Sequence, residues 1–245
     1  MLLMPVVVAV GVVGLGLPGL LYSLAVVGLF LARYPVELAV RRRTVPGAGW
    51  WLLIYAAVSG VAGLFLVATY GRWGLVPLGG LAVVIMGLYL WLIRRRAERT
   101  APAELVMVAG LSLSAAGAVY AAGGEWTALA LWLWLLTALY SGSSVFFVRM
   151  MVRRPPRGRV ALGRRLRVGW GALLYQGLVW LALSALVVRG AIPLLLPLAF
   201  LPLLVKVVVG LFVVEGRPRI RVLGFMEVGH TLLFALLLVA AYRWL

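Results

Sequence analysis

Long apolar runs in this sequence are separated by connections that alternate between arginine-rich and arginine-poor. A helix needs roughly 20 mostly apolar residues to cross the hydrocarbon core of a bilayer. The runs have about that length, and they place spans at about 2–16, 17–33, 50–70, 74–93, 101–122, 126–148, 168–188, 191–214 and 222–242. The chain is 65% hydrophobic and only 12% charged, so a water-soluble domain of this composition could not cover its surface with polar groups. The expected fold is all-α, a polytopic transmembrane bundle of about nine helices forming a single domain over residues 1–245. Between the first two spans, Gly14, Gly16, Pro18 and Gly19 mark a tight turn.

The arginines give an orientation. Connections 2–3, 4–5, 6–7 and 8–9 carry nineteen of the 22, among them Arg33, Arg41–Arg43, Arg94–Arg96, Arg149, Arg153, Arg154, Arg164, Arg165, Arg167, Arg219 and Arg221. The other side has Arg72, Arg189 and Arg243. Positively charged loops stay in the cytoplasm. The N-terminus is therefore expected inside and the C-terminus outside a bacterial cytoplasmic membrane. Trp50, Trp51, Tyr70, Trp73, Trp126, Trp170, Tyr242 and Trp244 fall near span ends, where aromatic anchors belong. The net charge of +17 is accounted for by these flanking arginines, which meet anionic headgroups, so membrane lipids and not nucleic acid are the expected partners. The sequence names no protein partner.

Cysteine is absent, which excludes disulfides, thiolate catalysis and Cys-ligated metals. Asp and Asn are absent too, and Lys206 is the only lysine, a bias that fits a GC-rich or thermophilic prokaryotic source. No removable signal peptide is expected. The first span is short and starts at Met1 without a polar lead-in, so it is expected to be tilted and incomplete or truncated at its start.

Ionisable groups inside a membrane are costly and serve as default site candidates. At about 1.5 Å of rise per residue, Lys206 in the eighth span and His230 in the ninth lie roughly 12 Å from the cytoplasmic end. Glu227 is one turn shallower, and Gln176 reaches a similar level. Ser141, Ser143 and Ser144 precede Arg149, and Glu104 opens the fifth span. The outer halves carry no such set, which predicts a polar cavity facing the cytoplasm. Lys206 is expected to pair with Glu227, either as part of a site or only as a fastener between two helices. Glu227-x-x-His230 has the spacing of carboxylate-bridged metal sites. With one histidine in the chain no metal and no cofactor are expected, and His230 reads as a hydrogen-bonding side chain.

Pro193, Pro197 and Pro202 should bend the eighth span, as in cavity-lining broken helices or in ordinary proline-containing ones. Arg33, Glu37 and Arg41 would share a face if the helix ran on, but Pro35 predicts a break near Tyr34 and a solvated rim. Pro155-Pro156-Arg157-Gly158 reads as a turn, and Arg164, Arg165 and Arg167 as headgroup or phosphate ligands.

Three stretches carry a family resemblance: Met1-Leu-Leu-Met-Pro5, Leu-Tyr-Ser-Gly-Ser-Ser-Val-Phe-Phe-Val-Arg ending at Arg149, and Arg219-Ile-Arg-Val-Leu-Gly-Phe-Met-Glu-Val-Gly-His230. In these the chain resembles the YwiC-like family of bacterial integral membrane proteins. Family members have a His-Gly-Ala-Trp stretch ahead of the first segment, which does not occur before Met1 here. More distantly the topology is similar to that of UbiA-type prenyltransferases, which have nine helices and a cytoplasm-facing cavity. That superfamily holds Mg²⁺ on Asn/Asp-rich motifs, which this chain lacks, so no catalytic residue carries over. Glu37 and the loop arginines match only by topology.

Three functions remain open. The protein could bind or process a lipid or isoprenoid phosphate, with Arg33, Arg149, Arg164, Arg165, Lys206 and Gln176 as binding residues. If it is an enzyme, Glu227, His230 and Glu37 are the nominees for acid or base. It could instead transport a small anion on Lys206, or serve as a non-catalytic assembly protein.

Overall fold

The computed structural model describes residues 3–14, 16–41, 45–97, 100–154, 162–214 and 218–243. The turn at 155–158, Arg42, Arg43, Arg99, Arg157, Arg159, Arg217 and the Trp244 anchor lie outside the described residues. Among those described, every regular element is helical: α1 Met4–Val13, α2 Leu17–Val40, α3 Ala48–Tyr70, α4 Leu75–Arg94, α5 Ala101–Gly123, α6 Ala128–Val152, α7 Leu162–Val188, a 3-10 turn Leu196–Phe200, α8 Leu201–Phe212 and α9 Ile220–Arg243. Seven of these, α2 to α7 and α9, are long and apolar enough to cross a membrane. The expected polytopic helical bundle is the architecture observed.

Three boundaries differ from expectation. Helix α2 does not break near Tyr34 but runs through Pro35 to Val40. Proline removes one N–H and crowds the preceding turn, yet membrane helices tolerate it where neighbours compensate. Here an Arg33–Glu37 ion pair on one face spans the proline. Helix α7 starts at Leu162, not near 168, and so takes in Arg164, Arg165 and Arg167. The eighth span is a 3-10 turn followed by a 12-residue helix. Pro197 and Pro202 stand in the first turns of these two elements, where a missing N–H goes unnoticed. Those prolines punctuate the segment and do not kink a continuous helix.

Chain contacts divide the molecule into two compact units, an N-terminal one ending at Leu135 and a C-terminal one starting at Leu136. In the N-terminal unit α2 packs along α3, α1 and α4 pack on α5, and α2 also meets α5. Small residues make the close approach: Ala25, Gly28 and Ala32 on α2, and Ser59 and Ala62 on α3, are all buried. Ser59 Oγ donates to the Ala25 carbonyl at 3.0 Å. Helix α5 ends at Gly124, whose left-handed φ of 87° excludes most side chains. Arg72 lies against it and donates to the Ala121 and Ala122 carbonyls at 3.0 and 3.2 Å.

In the C-terminal unit α9 packs on the 3-10 turn, and α8 meets both α7 and α9. Phe234 stacks on Tyr140 at 4.0 Å between ring centroids and meets Phe200 edge-on at 5.0 Å. A second apolar cluster joins Phe147, Met150 and Met151 to Val207, Leu211 and Leu223.

The seam between α2 and α3 has no room for one more carbon. A methyl at Gly28 would run into Ser59 Oγ and stand 3.1 Å from the Tyr55 carbonyl, which is fixed backbone. Gly28→Ala should therefore lower stability in detergent by about 1–3 kcal/mol. An unchanged melting temperature would contradict this packing.

Candidate functional sites

The C-terminal unit buries a polar cluster in an otherwise apolar interior. Lys206 on α8 donates from Nζ to Glu227 Oε1 and Oε2 on α9 at 2.8 and 3.0 Å. It also donates to Ser144 Oγ on α6 at 3.1 Å. The ammonium lies 4.8 Å from the Phe147 ring centroid. An ammonium has three N–H donors, so this one is fully engaged. The ion pair expected between α8 and α9 is present, and it is almost completely excluded from solvent.

Around it the helix faces supply further bonds. Thr231 donates to the Glu227 carbonyl at 2.6 Å and accepts from the Tyr140 hydroxyl at 3.1 Å. On the neighbouring position of α6, Ser143 donates to Gln176 Oε1 on α7 at 2.9 Å. The Gln176 amide nitrogen is buried with no hydrogen-bond partner among the described residues. His230 does not join this group. Its Nδ1 sits 2.7 Å from the Met226 carbonyl of its own helix, in the geometry of an N–H donor, and the ring is half-buried. His230 is only half-buried, whereas Thr231, one residue on, is buried with Glu227. Among the described residues no three acidic or imidazole side chains gather as a metal-ligand set.

The arginines of the 6–7 connection have mixed employment. Arg149 is half-buried near the end of α6, and Arg164 is exposed on the first turn of α7. Arg165 donates to the Phe212 carbonyl at 2.8 Å. Arg154, just past α6, donates to the Val214 carbonyl at 2.7 Å and to that of Gly210. These two guanidinium groups close the carbonyl end of α8, where a helix leaves four acceptors open. Burial, and secondarily the charge of Arg165, pulls the Arg154 guanidinium below its ordinary value. Its capping role had no sequence signal, because its partners lie on α8 and just beyond it.

A hollow occurs in the N-terminal unit. A cavity of about 280 Å³ runs along α2 from Tyr22 to Arg33 and is walled by α3, α4 and α5. Its lining is apolar apart from Arg33, Tyr22, Ser59 and Ser114. Arg33 occupies one end. Its Nε donates to Glu37 Oε1 at 2.5 Å and its Nη2 to the Tyr89 hydroxyl of α4 at 2.6 Å. The guanidinium carbon stands 4.5 Å from the Tyr89 ring centroid and 5.9 Å from that of Phe30. The remaining guanidinium nitrogen, Nη1, has no partner among the described residues, and the side chain is 25% exposed. Tyr89 was not foreseen, because a break near Tyr34 would have left Arg33 without a fixed direction.

Fold and composition thus define a multi-pass integral membrane protein. The family described as YwiC-like protein matches it over residues 1–120, the segment that contains α1 to α4, most of α5 and the cavity, and the resemblance read from the sequence holds there. No curated protein and no solved structure matches the chain.

Two outcomes check these contacts. Lys206→Met and Glu227→Met should each cost about 3–5 kcal/mol by stranding a buried charge, and the double variant should cost less than either. Equal losses that add in the double would mean that the pair contributes nothing jointly. Arg154→Ala should cost about 1–3 kcal/mol, because it leaves two carbonyls unpaired. Hydrogen exchange at the end of α8 would report this as local fraying.

Proposed function

We propose that this protein binds a phosphate-bearing lipid or isoprenoid in the cavity of its N-terminal unit, with the headgroup on Arg33 and the apolar chain along α2. The protein would lie in a bacterial cytoplasmic membrane with its arginine-rich connections in the cytoplasm. The observation that carries the reading is one guanidinium at the end of an apolar hollow. Arg33 still has N–H groups to offer a phosphate bidentately, and its ring contacts with Tyr89 and Phe30 hold the fork in place. Basic pockets at the cytoplasmic ends of membrane helices suit anionic headgroups for this reason. Arg165 is engaged on α8. Lys206 supports an anion transporter less well, since all its protons are already donated. The reading requires no chemical step of Glu37, Glu227 or His230.

Glu37 is the natural competitor of the ligand, because it occupies Arg33 from within the same helix. Lipid extracted from protein purified in mild detergent and identified by mass spectrometry tests the proposal. Co-purified anionic lipid should fall about tenfold in Arg33→Gln/Glu37→Gln, a variant that removes both charges and strands neither, and rise in Glu37→Gln alone. Lipid content indifferent to both variants would refute the headgroup site.

A further inference from the structure

The cavity lies along α2 with walls from α3, α4 and α5, but it is not closed all round. Helices α3 and α4 both line it, and only a short turn joins them, yet among the described residues they scarcely touch. They are also the two least buried of the seven long helices. On the opposite side the packing is tight: a methyl at Gly110 of α5 would overlap Ile85 of α4, and one at Gly117 would overlap the Tyr22 ring. Both helices are largely exposed, so an opening between them would face what surrounds them. In a membrane that is hydrocarbon.

We infer that the gap between α3 and α4 is a lateral entrance from the bilayer, and that its occupant is a single hydrocarbon chain of an anionic membrane lipid. This rests on the headgroup reading at Arg33 and adds where the chain comes from and what kind of molecule carries it. Three observations select this occupant. From Tyr22 to Arg33 the slot follows three turns of α2, roughly 16 Å at 1.5 Å per residue, which is about half of a 30 Å hydrocarbon core. A ligand seated there spans one leaflet, with its charge at the arginine-rich end. The walls offer water almost no hydrogen-bond partners, so an apolar slot open to the bilayer fills with chain and not with solvent. A soluble phosphate would use Arg33 but leave the slot unfilled.

Two adjacent glycines make the inference testable. Gly79 of α4 lines the slot and Gly80 does not, and an added carbon at either meets nothing within 4 Å. Gly79→Trp should therefore block the slot without disturbing the fold, and Gly80→Trp is its matched control. The probe is phosphatidic acid carrying a diazirine on one acyl chain, in vesicles of phosphatidylcholine, with the same label on phosphatidylcholine as comparison. Illumination of wild-type protein should give adducts on α3 and α4 peptides with the anionic probe. Gly79→Trp should reduce them about tenfold while Gly80→Trp leaves them unchanged. Equal adducts in Gly79→Trp and wild type, or equal losses in both tryptophan variants, would overturn the entrance. So would complete competition by free inorganic phosphate, which would assign Arg33 to a soluble anion. A cross-linked dimer in place of lipid adducts would make the gap an interface between copies, again against the inference. If the entrance fails while co-purified lipid still depends on Arg33, the headgroup site survives. If neither lipid nor adduct depends on Arg33 or Gly79, both readings fall together.

Discussion

Inside a bilayer, apolar side chains gain little by meeting one another, because lipid tails are as apolar as they are. What remains to hold helices together is close approach and a few polar bonds. The N-terminal unit uses the first, with Gly28, Ala25 and Ala32 bringing α2 against α3. The C-terminal unit uses the second, with Lys206, Glu227 and Ser144 tying α6, α8 and α9 through one ammonium. Both arrangements are intolerant of change for the same reason. Removing a small residue's space or a charge's partner leaves nothing of comparable strength to replace it.

The two polar sites therefore differ in kind. At Lys206 every proton is spent on protein, and the surrounding rings and aliphatic chains exclude solvent. Such a cluster specifies which helix faces meet. At Arg33 the guanidinium is held by a carboxylate and a phenol but is not used up, and the residue lines a hollow. Rigid placement with donors in reserve is what ligand recognition requires. A buried charge alone would have nominated Lys206. The supply of unspent hydrogen bonds points to Arg33.

Much of the architecture was legible because the bilayer imposes a length on every span. The seven long helices follow from that requirement, and the Lys206–Glu227 contact follows from the cost of leaving either group alone in hydrocarbon. Other features had no local signature. The apolar faces of α3 and α4 that line a slot have the same composition as faces that touch lipid, so sequence could not separate them. Pro35 obscured Arg33, since local preference argued for a break where the pair with Glu37 and the contact with Tyr89 sustain helix. The expected polar hollow around Lys206, Glu227 and His230 rested on depth alone. Depth does not say which way a side chain turns about its helix, and His230 turns aside.

The 3-10 turn ahead of α8 bears on how a short segment matches a thick membrane. Leu196–Phe212 is too brief to count among the long helices. A 3-10 turn advances about 2.0 Å per residue against 1.5 Å in an α-helix, so its five residues and the twelve of α8 together reach up to about 28 Å. That approaches the thickness of the hydrocarbon core, about 30 Å. Winding the first residues more tightly lets an undersized piece of chain reach nearly as far as its longer neighbours, so the surrounding lipid has little need to thin around it.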